Sequence, residues 1–302
     1  MTRRRWFQAL TAGLAGRIGG AAEDRDLGVV HAGNPVRAVA FGDFGYDGHD
    51  SGQRKVAEAI ERRHRETRFH FGLTLGDNFY PRGVKSVHDP KWKEIWEADY
   101  GKLRIPFYAT LGNHDYMGNE QAQVEYTARS ESWKMPFRYY TFAAGPVRFF
   151  ALDTDEGTAK HWFFQSAWSD RQAEWLDEQL AKHAAARWKI VYGHHPIFSD
   201  GHHGDEKRLQ KKLLPILEKH KVDLYLCGHE HDLQHHESNG IDFVIAGGGG
   251  KDTRSVAARR ARYAEGRHGF LEIKATEALV EARLTALDGS LLHGVKREKA
   301  GS

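Results

Sequence analysis

Cysteine and long apolar runs are the scarcest features of this 302-residue chain. Cys227 is the single cysteine, so no intrachain disulfide can form. No apolar stretch approaches the roughly 20 residues of a membrane-spanning helix. The formal net charge is only +3, which by itself gives no reason to expect a nucleic-acid partner. The composition therefore indicates a globular protein of one large domain or two small ones.

The N-terminus differs in character from the rest. Arg3, Arg4 and Arg5 precede a mildly apolar segment from residue 9 to 16 and then a group of small residues. This pattern is similar to a twin-arginine export signal, which would place the mature protein in the periplasm or outside the cell. The alternative is a disordered basic tail on a cytoplasmic protein. We expect residues 1–34 to be a leader or tail, residues 35–295 to be one catalytic domain, and residues 296–302 to be a C-terminal tail.

Short strands alternate with helices from Val36 onward. Strands are predicted from their β-branched and aromatic residues at 36–41, 68–75, 106–111, 147–152, 188–192, 223–227 and 241–246. Apolar residues at helical spacing predict helices at 53–65, 172–185 and 206–220, the last kinked or ended by Pro215. Segments 269–274, 279–286 and 290–294 predict an antiparallel meander. Strand–helix alternation of this kind is typical of a layered α/β fold.

Five of these apolar runs are followed by a glycine and then by a polar motif. The motifs are Gly42-Asp43-Phe44-Gly45, Gly76-Asp77-Asn78-Phe79-Tyr80, Gly112-Asn113-His114-Asp115, Gly193-His194-His195-Pro196 and Gly228-His229-Glu230-His231. In an open α/β sheet, ligands bind beyond the carboxyl ends of the strands, where these motifs are predicted to lie. Glycine before each polar residue permits a sharp turn and close approach to an ion. Oxygen and imidazole donors at five strand ends predict a two-metal hydrolytic site.

These motifs, together with Leu152-Asp153-Thr154 and the stretch from Tyr225 to Gln234, resemble the calcineurin-like metallophosphoesterases. The similarity runs from about Ala38 to Ile273. Tyr80, three residues after Asp77, narrows the resemblance to the purple acid phosphatases of the small, tartrate-resistant type. The resemblance implies a four-layer αββα sandwich with the metal site at the C-terminal ends of the strands.

Carried over motif by motif, the resemblance also implies a ligand set. The first metal would be held by Asp43, Asp77, Tyr80 and His231, and the second by Asp77, Asn113, His194 and His229. The chemistry of the donors favours the same division, because a phenolate and two carboxylates suit a trivalent ion. Neutral amide and imidazole ligands with one shared carboxylate suit a divalent ion. We expect Fe³⁺ at the first position and Fe²⁺, Zn²⁺ or Mn²⁺ at the second.

Two metals that hold a phosphoryl group between them predict in-line attack by a metal-bound hydroxide. A cationic imidazole would protonate the leaving oxygen. His114 resembles the family's histidine that is not a ligand, and Asp115 would either orient it or cap the following turn. The second catalytic histidine is His202 or His203, and the family pattern of a histidine before glycine favours His203. His195 is interpreted as a residue that lines the site.

Several weaker patterns have two interpretations. His235 and His236 are hydrogen-bond partners of the site or, as we expect, part of a solvated strand face. The aromatic segment 161–164 with Trp168 forms an apolar rim or, preferably, covers a sheet edge. Residues 251–267 carry six Lys or Arg against two acids. They form a solvated face or steer anionic substrates toward the metals. Phe44 stands where the family usually has Trp and would form an aromatic wall beside Asp43.

The sequence thus predicts a monomeric acid phosphatase acting on small phosphomonoesters or phosphoproteins, with no nucleic acid and no membrane span. One alternative is a metallophosphodiesterase acting on nucleotides or other diesters, since the same site supports both reactions. A non-catalytic metal- or phosphate-binding protein is less favoured, because every motif position keeps a ligand.

Overall fold

A computed structural model describes residues 25–45, 52–156 and 168–300. Fifteen strands are present in this described part of the chain. In chain order they are β1 (Asp26–Val29), β2 (Val36–Phe41), β3 (Phe71–Leu75), β4 (Phe107–Thr110), β5 (Trp133–Lys134), β6 (Tyr140–Ala144), β7 (Val147–Ala151), β8 (Trp188–Tyr192), β9 (Leu224–Cys227), β10 (Leu233–Ser238), β11 (Ile241–Ala246), β12 (Tyr263–Glu265), β13 (Gly269–Ala275), β14 (Leu279–Ala286) and β15 (Leu291–Glu298).

The strands form two mixed sheets. One sheet has eight strands in the order β1-β6-β7-β8-β9-β11-β10-β12, and the other has seven in the order β15-β14-β13-β2-β3-β4-β5. Strands β2, β3 and β4 are parallel neighbours in the second sheet. Strands β8 and β9 are parallel neighbours in the first. The five strands that precede the polar motifs are therefore divided between two sheets. The carboxyl ends of strands in one open sheet were the basis of the predicted site, whereas the resemblance implied the two sheets of an αββα sandwich.

The two sheets pack face to face through aromatic side chains. Phe71 on β3 contacts Phe142 on β6 and Phe149 on β7, with ring centroids 5.8 and 5.4 Å apart. Side chains alternate across a strand, so Phe150 points to the opposite face of its sheet from Phe149. Phe150 belongs to a second apolar core between this sheet and the outer helices. This alternation explains why β7 is apolar throughout: both of its faces are buried.

Helices cover the outer faces of both sheets. They are α1 (Gly52–Thr67), α2 (Glu120–Tyr126), α3 (Asp170–Lys182), α4 (Lys207–Lys212) and α5 (Leu214–Lys219), with a π-helical segment at Trp92–Glu97 and 3-10 segments at Gly101–Leu103 and Asp115–Met117. Helix α1 packs against β13, and α3 to α5 bury Leu176, Leu209 and Leu217 on the eight-stranded sheet. The predicted four-layer αββα sandwich is confirmed. Within the described residues, no helix has the length and apolarity needed to cross a bilayer.

The ends of the sheets extend beyond the predicted domain limits. Strand β1 lies before residue 35, yet it pairs with β6 in parallel, with Asp26 opposite Thr141. Strand β15 continues to Glu298 against β14. Asp and Gly in β1 disfavour a strand by propensity, so only pairing with a neighbour far along the chain reveals it. The predicted helix 206–220 is divided into α4 and α5, with Pro215 in the first turn of α5. The predicted export signal lies mainly in residues 1–24, outside the described residues.

Candidate metal centre

The polar motifs lie in the loops at the carboxyl ends of five parallel strands. Asp43, Asp77 and Asn113 follow β2, β3 and β4, and His194 and His229 follow β8 and β9. The two sheets are joined at this edge by backbone hydrogen bonds, among them Gly42 N–H to the Ala246 carbonyl and Gly249 N–H to the Gly42 carbonyl. The site is therefore built at one end of the sandwich, from both sheets.

Three of the expected ligands have a left-handed backbone. The φ angles of Asp43, Asp77 and His229 are 58°, 52° and 69°. This region costs free energy for residues other than glycine, although Asp and His tolerate it better than most. The chain therefore turns sharply at each of these residues, and the turn directs the side chain into the gap between the sheets.

The glycines before the ligands are required by packing as much as by turning. A Cβ atom on Gly228 would lie 2.3 Å from Asp43 Oδ2, and one on Gly112 would lie 2.3 Å from Asp77 Oδ1. A Cβ atom on Gly76, whose φ is +83°, would lie 2.6 Å from His194 Nδ1. Each of these glycines thus leaves room for a donor group that belongs to another motif.

The Tyr80 hydroxyl and three donor groups around it form the first donor group. Its oxygen lies 2.8 Å from Asp77 Oδ2, 3.2 Å from Asp43 Oδ1 and 3.2 Å from His231 Nε2. These are the four residues expected at the first metal position. His231 Nδ1 donates a hydrogen bond to the Asp252 carbonyl at 2.9 Å. The unprotonated Nε2 therefore faces Tyr80 and the two carboxylates.

A second group of donors meets around Asn113. Its Oδ1 lies 3.1 Å from His194 Nε2 and 3.1 Å from His229 Nδ1. His194 Nδ1 lies 2.9 Å from the Leu75 carbonyl, which leaves Nε2 as the atom that faces the site. His194 Nε2 is also 3.5 Å from Asp77 Oδ1. The two oxygens of Asp77 therefore face different donor groups, as a bridging carboxylate requires.

The electrostatics of this cluster fit a bound cation. Asp43 is fully buried and Asp77 is 2% exposed, and within the described residues neither carboxylate pairs with a Lys or Arg. Burial, and then the Asp77 carboxylate, raises the pKa of Asp43 well above its ordinary value. Burial and both carboxylates raise the pKa of Tyr80. Metal ions reverse these penalties, because they stabilise anionic oxygen ligands and neutral imidazoles.

The imidazoles of the cluster are kept neutral. Burial, and then the neighbouring imidazoles, lowers the pKa of His229 well below its ordinary value. Burial and the nearby Arg254 lower the pKa of His231 to about 4. Neutral imidazole is the form that binds metals. Seven side chains of the predicted ligand set thus lie together, and their donor chemistry suits two ions.

His114 lies at the rim of the first donor group. Its ring centroid is 4.4 Å from that of Tyr80, and its Nδ1 is 2.7 Å from the Pro81 carbonyl. That contact leaves His114 Nε2 directed to the site, 4.0 Å from Asp77 Oδ2. The side chain is 24% exposed, so substrate can reach it.

Asp115 has neither of the two roles expected for it. It is fully buried and accepts hydrogen bonds from the backbone N–H groups of Gly112 and Asn78 and from Gln123 Nε2. Within the described residues it makes no hydrogen bond to His114. Asp115 instead joins the loops that follow β3 and β4, which fixes the relative positions of Asp77 and Asn113.

His203 lies against the second donor group and His202 does not. The ring centroid of His203 is 4.3 Å from that of His229, whereas His202 is exposed. His203 Nδ1 lies 3.3 Å from Glu230 Oε2, and its backbone N–H donates to Glu230 Oε1 at 2.7 Å. Sequence reasoning missed Glu230. Its place between the two histidines of the Gly-His-Glu-His motif was the available signal.

Three further histidines near the site are buried. His195 is fully buried, and its ring centroid lies 4.4 Å from that of His229, so it packs against an expected ligand. Its Nδ1 is 2.9 Å from Thr154 Oγ1. His235 and His236 are each 4% exposed, which rules out the expected solvated face. His235 Nε2 is 2.8 Å from Asp242 Oδ1 and its Nδ1 is 2.9 Å from His293 Nε2. Strand β15 supplies His293, which joins β10 to the other sheet.

The aromatic residues predicted near the site or at a sheet edge have different outcomes. Phe44 is fully buried in an aromatic cluster with Phe41, Trp96 and Tyr100, so it is not a wall of the site. Trp168 is 5% exposed, in agreement with a covering role, while segment 161–164 is outside the described residues.

The basic segment (residues 251–267) is not simply a solvated face. Lys251 and Arg254 lie near the ligands: the backbone N–H of Lys251 donates to the Asp43 carbonyl and that of Arg254 to the His231 carbonyl. Further along, Arg260 pairs with Asp200 and Asp205, and Arg262 with Glu237.

Comparisons with known proteins agree with this geometry. A family model described as calcineurin-like phosphoesterase matches residues 36–233. The chain is 34% identical to purple acid phosphatase 3 of Arabidopsis thaliana over 286 residues, which cover 87% of this chain and 77% of that protein. It is 35% identical to tartrate-resistant acid phosphatase type 5 of Sus scrofa over 237 residues, covering 71% and 69%.

Among solved structures, the chain is similar to GAP50, described as the anchor in the inner membrane complex of Plasmodium. The TM-score is 0.73 at 25% identity, and the match covers 87% of this chain and 88% of that one. Sequence and fold comparisons thus agree. The chain belongs to the calcineurin-like phosphoesterases and, within them, to the purple acid phosphatases, a family of hydrolases that act on phosphoric ester bonds.

Proposed function

We propose that this phosphatase is a dinuclear-metal acid phosphatase that hydrolyses phosphomonoesters. The observation that carries the proposal is the position of Asp77, whose two oxygens face two separate donor groups. The proposed first position takes Fe³⁺ through Asp43, Asp77, Tyr80 and His231. The second takes Fe²⁺, Zn²⁺ or Mn²⁺ through Asp77, Asn113, His194 and His229. When bound, the ions supply Lewis-acid polarisation of the phosphoryl group and acidify a water nucleophile.

The two rim histidines supply the remaining chemistry. In this proposal His114 Nε2 contacts the phosphoryl group or the leaving oxygen, because Nδ1 is engaged by the Pro81 carbonyl. His203, held by Glu230 through Nδ1, presents its other nitrogen toward the substrate and donates a proton to the leaving alcohol.

The experiment that tests the metal assignment is a visible spectrum with metal analysis of protein purified under mild conditions. A tyrosinate bound to Fe³⁺ gives a purple charge-transfer band. A colourless protein that is fully active with Zn²⁺ or Mn²⁺ and no iron would remove the iron assignment while leaving hydrolysis intact.

The reaction is tested by comparing an aryl phosphate with the corresponding bis-aryl diester. The proposal expects the monoester to be hydrolysed faster, whereas a preference for the diester would establish the phosphodiesterase alternative. A small phosphomonoester or a phosphoprotein is the proposed substrate. Lack of hydrolysis of both esters by protein with full metal content would favour a binding function instead.

We also propose that the chain acts as a monomer in the periplasm or outside the cell. The support for export is the Arg3-Arg4-Arg5 pattern followed by an apolar segment. N-terminal sequencing of the protein from the cell envelope fraction tests it: an uncleaved N-terminus in the cytoplasm would contradict export.

A further inference from the structure

The loop that carries His203 is attached to the basic segment by Arg260. We name residues 199–205 the His loop. The Arg260 guanidinium donates from Nη1 and Nη2 to the Asp205 carboxylate, at 2.9 and 2.8 Å. Its Nε donates to Asp200 Oδ1 at 3.1 Å, and Nη2 also donates to the Ser199 carbonyl at 2.7 Å. One guanidinium thus binds both ends of the His loop, which uses the planar donor geometry that lysine lacks.

Asp200 extends this attachment to the backbone of the basic segment. Its Oδ2 accepts hydrogen bonds from the consecutive N–H groups of Arg259, Arg260 and Ala261, at 2.6, 2.7 and 2.9 Å. Although burial opposes it, these N–H groups and Arg260 hold the pKa of Asp200 well below its usual range. Charge-assisted hydrogen bonds of this kind are the stronger ones in proteins. The contact therefore fixes residues 259–261 relative to the His loop.

The inner side of the His loop is attached to the metal motif. Glu230 Oε1 accepts from Ser199 Oγ at 2.9 Å and from the N–H groups of His203 and Gly204 at 2.7 and 3.1 Å. Arg254 Nη1 lies 3.3 Å from His203 Nδ1. His203 is therefore set by two groups of contacts, one from Glu230 beside the ligands and one from Arg260 outside them.

We propose that Arg260 is a positioning residue for His203: it acts through Asp200 and Asp205 to hold the His loop in the conformation that places the imidazole beside His229. This inference rests on the proposed function, in which His203 protonates the leaving group. The Arg260 side chain is 54% exposed, so its ion pairs add little to overall stability. Their effect is on the geometry of the loop, to which proton transfer is sensitive.

The test compares Arg260→Gln with Arg262→Gln. Arg262 is a matched control because it lies in the same segment, is 60% exposed and pairs with Glu237 instead of the His loop. Each variant is assayed with p-nitrophenyl phosphate, whose leaving group needs little protonation, and with glycerol phosphate, whose alkoxide leaving group needs it. Arg260→Gln should lower kcat for glycerol phosphate about tenfold, with little change for the aryl ester and for KM. Arg262→Gln should leave kcat and KM unchanged for both substrates.

Arg260→Gln is then made in a His203→Ala background. If Arg260 acts through His203, Arg260→Gln causes no further loss in that background. An equal loss for both substrates, or a loss that persists without His203, would overturn the positioning role. If His203→Ala itself leaves the ratio of kcat for the two substrates unchanged, the proposed role of His203 fails as well. Asp205→Asn gives the same comparison if Arg260→Gln does not fold. The Asn oxygen can still accept the hydrogen bond that the Ser199 backbone N–H donates to Asp205 Oδ1 at 3.0 Å.

Discussion

Replacement of Gly228 by alanine should displace a metal ligand without removing it. The new Cβ atom would lie 2.3 Å from Asp43 Oδ2 and 3.0 Å from the Leu75 carbonyl oxygen. Ordinary contacts between carbon and other heavy atoms are about 3.5 Å, so the Asp43 carboxylate would have to move by about 1 Å. The same oxygen accepts the His229 backbone N–H at 2.8 Å, and this hydrogen bond would also be disturbed.

The expected effects are modest for stability and large for catalysis. Overpacking of this kind costs about 1–3 kcal/mol. For a chain of this size, that loss lowers Tm by roughly 2–5 °C. A ligand displaced by about 1 Å should lower kcat on an aryl phosphate by about a hundredfold. The metal content of the purified protein should fall as well, because Asp43 belongs to the first donor group.

Gly294→Ala is the control for this variant. Gly294 lies on β15, and a Cβ atom there would meet only Leu291 Cδ1, at 4.0 Å. Thermal unfolding, metal analysis and kcat are measured for both variants. Full activity and metal content in Gly228→Ala would refute the packing argument. Equal losses in both variants would show that the effect does not come from contact with Asp43.

Three further predictions concern other parts of the molecule. Tyr80→Phe should abolish visible absorption in the iron-loaded enzyme, and a retained purple band would exclude Tyr80 as the chromophore. Burial raises the pKa of Asp153 to about 7, so the folded protein keeps a proton that the unfolded chain releases near pH 4. The contribution of Asp153 to stability should fall by roughly 4 kcal/mol between about pH 4 and pH 7, and Asp153→Asn should reduce the pH dependence in urea unfolding curves by that amount. Lys251→Glu combined with Arg254→Glu should raise KM several-fold at low salt and less at high salt; an unchanged KM at low salt would contradict substrate steering.

Much of the fold could be predicted because buried parallel strands have a simple composition. Strands β2, β8 and β11 match their predicted ranges, and the antiparallel meander of β13 to β15 was predicted with Asp288-Gly289 as a turn. The division into two sheets was not predicted from strand patterns. Alternation along a strand shows that a face is buried, but it does not show which neighbour covers it.

The candidate site could be predicted from local motifs because five of the seven ligands follow a glycine at a strand end, and Tyr80 and His231 belong to two of the same motifs. The structure brings all seven predicted ligands together, with His114 and His203 at the rim. Glu230 and Arg260 were not recognised, since a charged residue near a motif is usually solvated. The contacts that give them a role are made by residues 26 to 61 positions apart in the chain.

The sequence by itself determined the family, the positions of the strands that precede the ligands and the identity of the donor groups, because these depend on residue type and on spacing within short segments. Only the tertiary structure decided which groups meet. It placed the two oxygens of Asp77 toward different donors, buried His235 against β15, and attached the His loop to Arg260. Such contacts depend on how the two sheets pack, and packing brings together residues whose separation in the sequence carries no local signal.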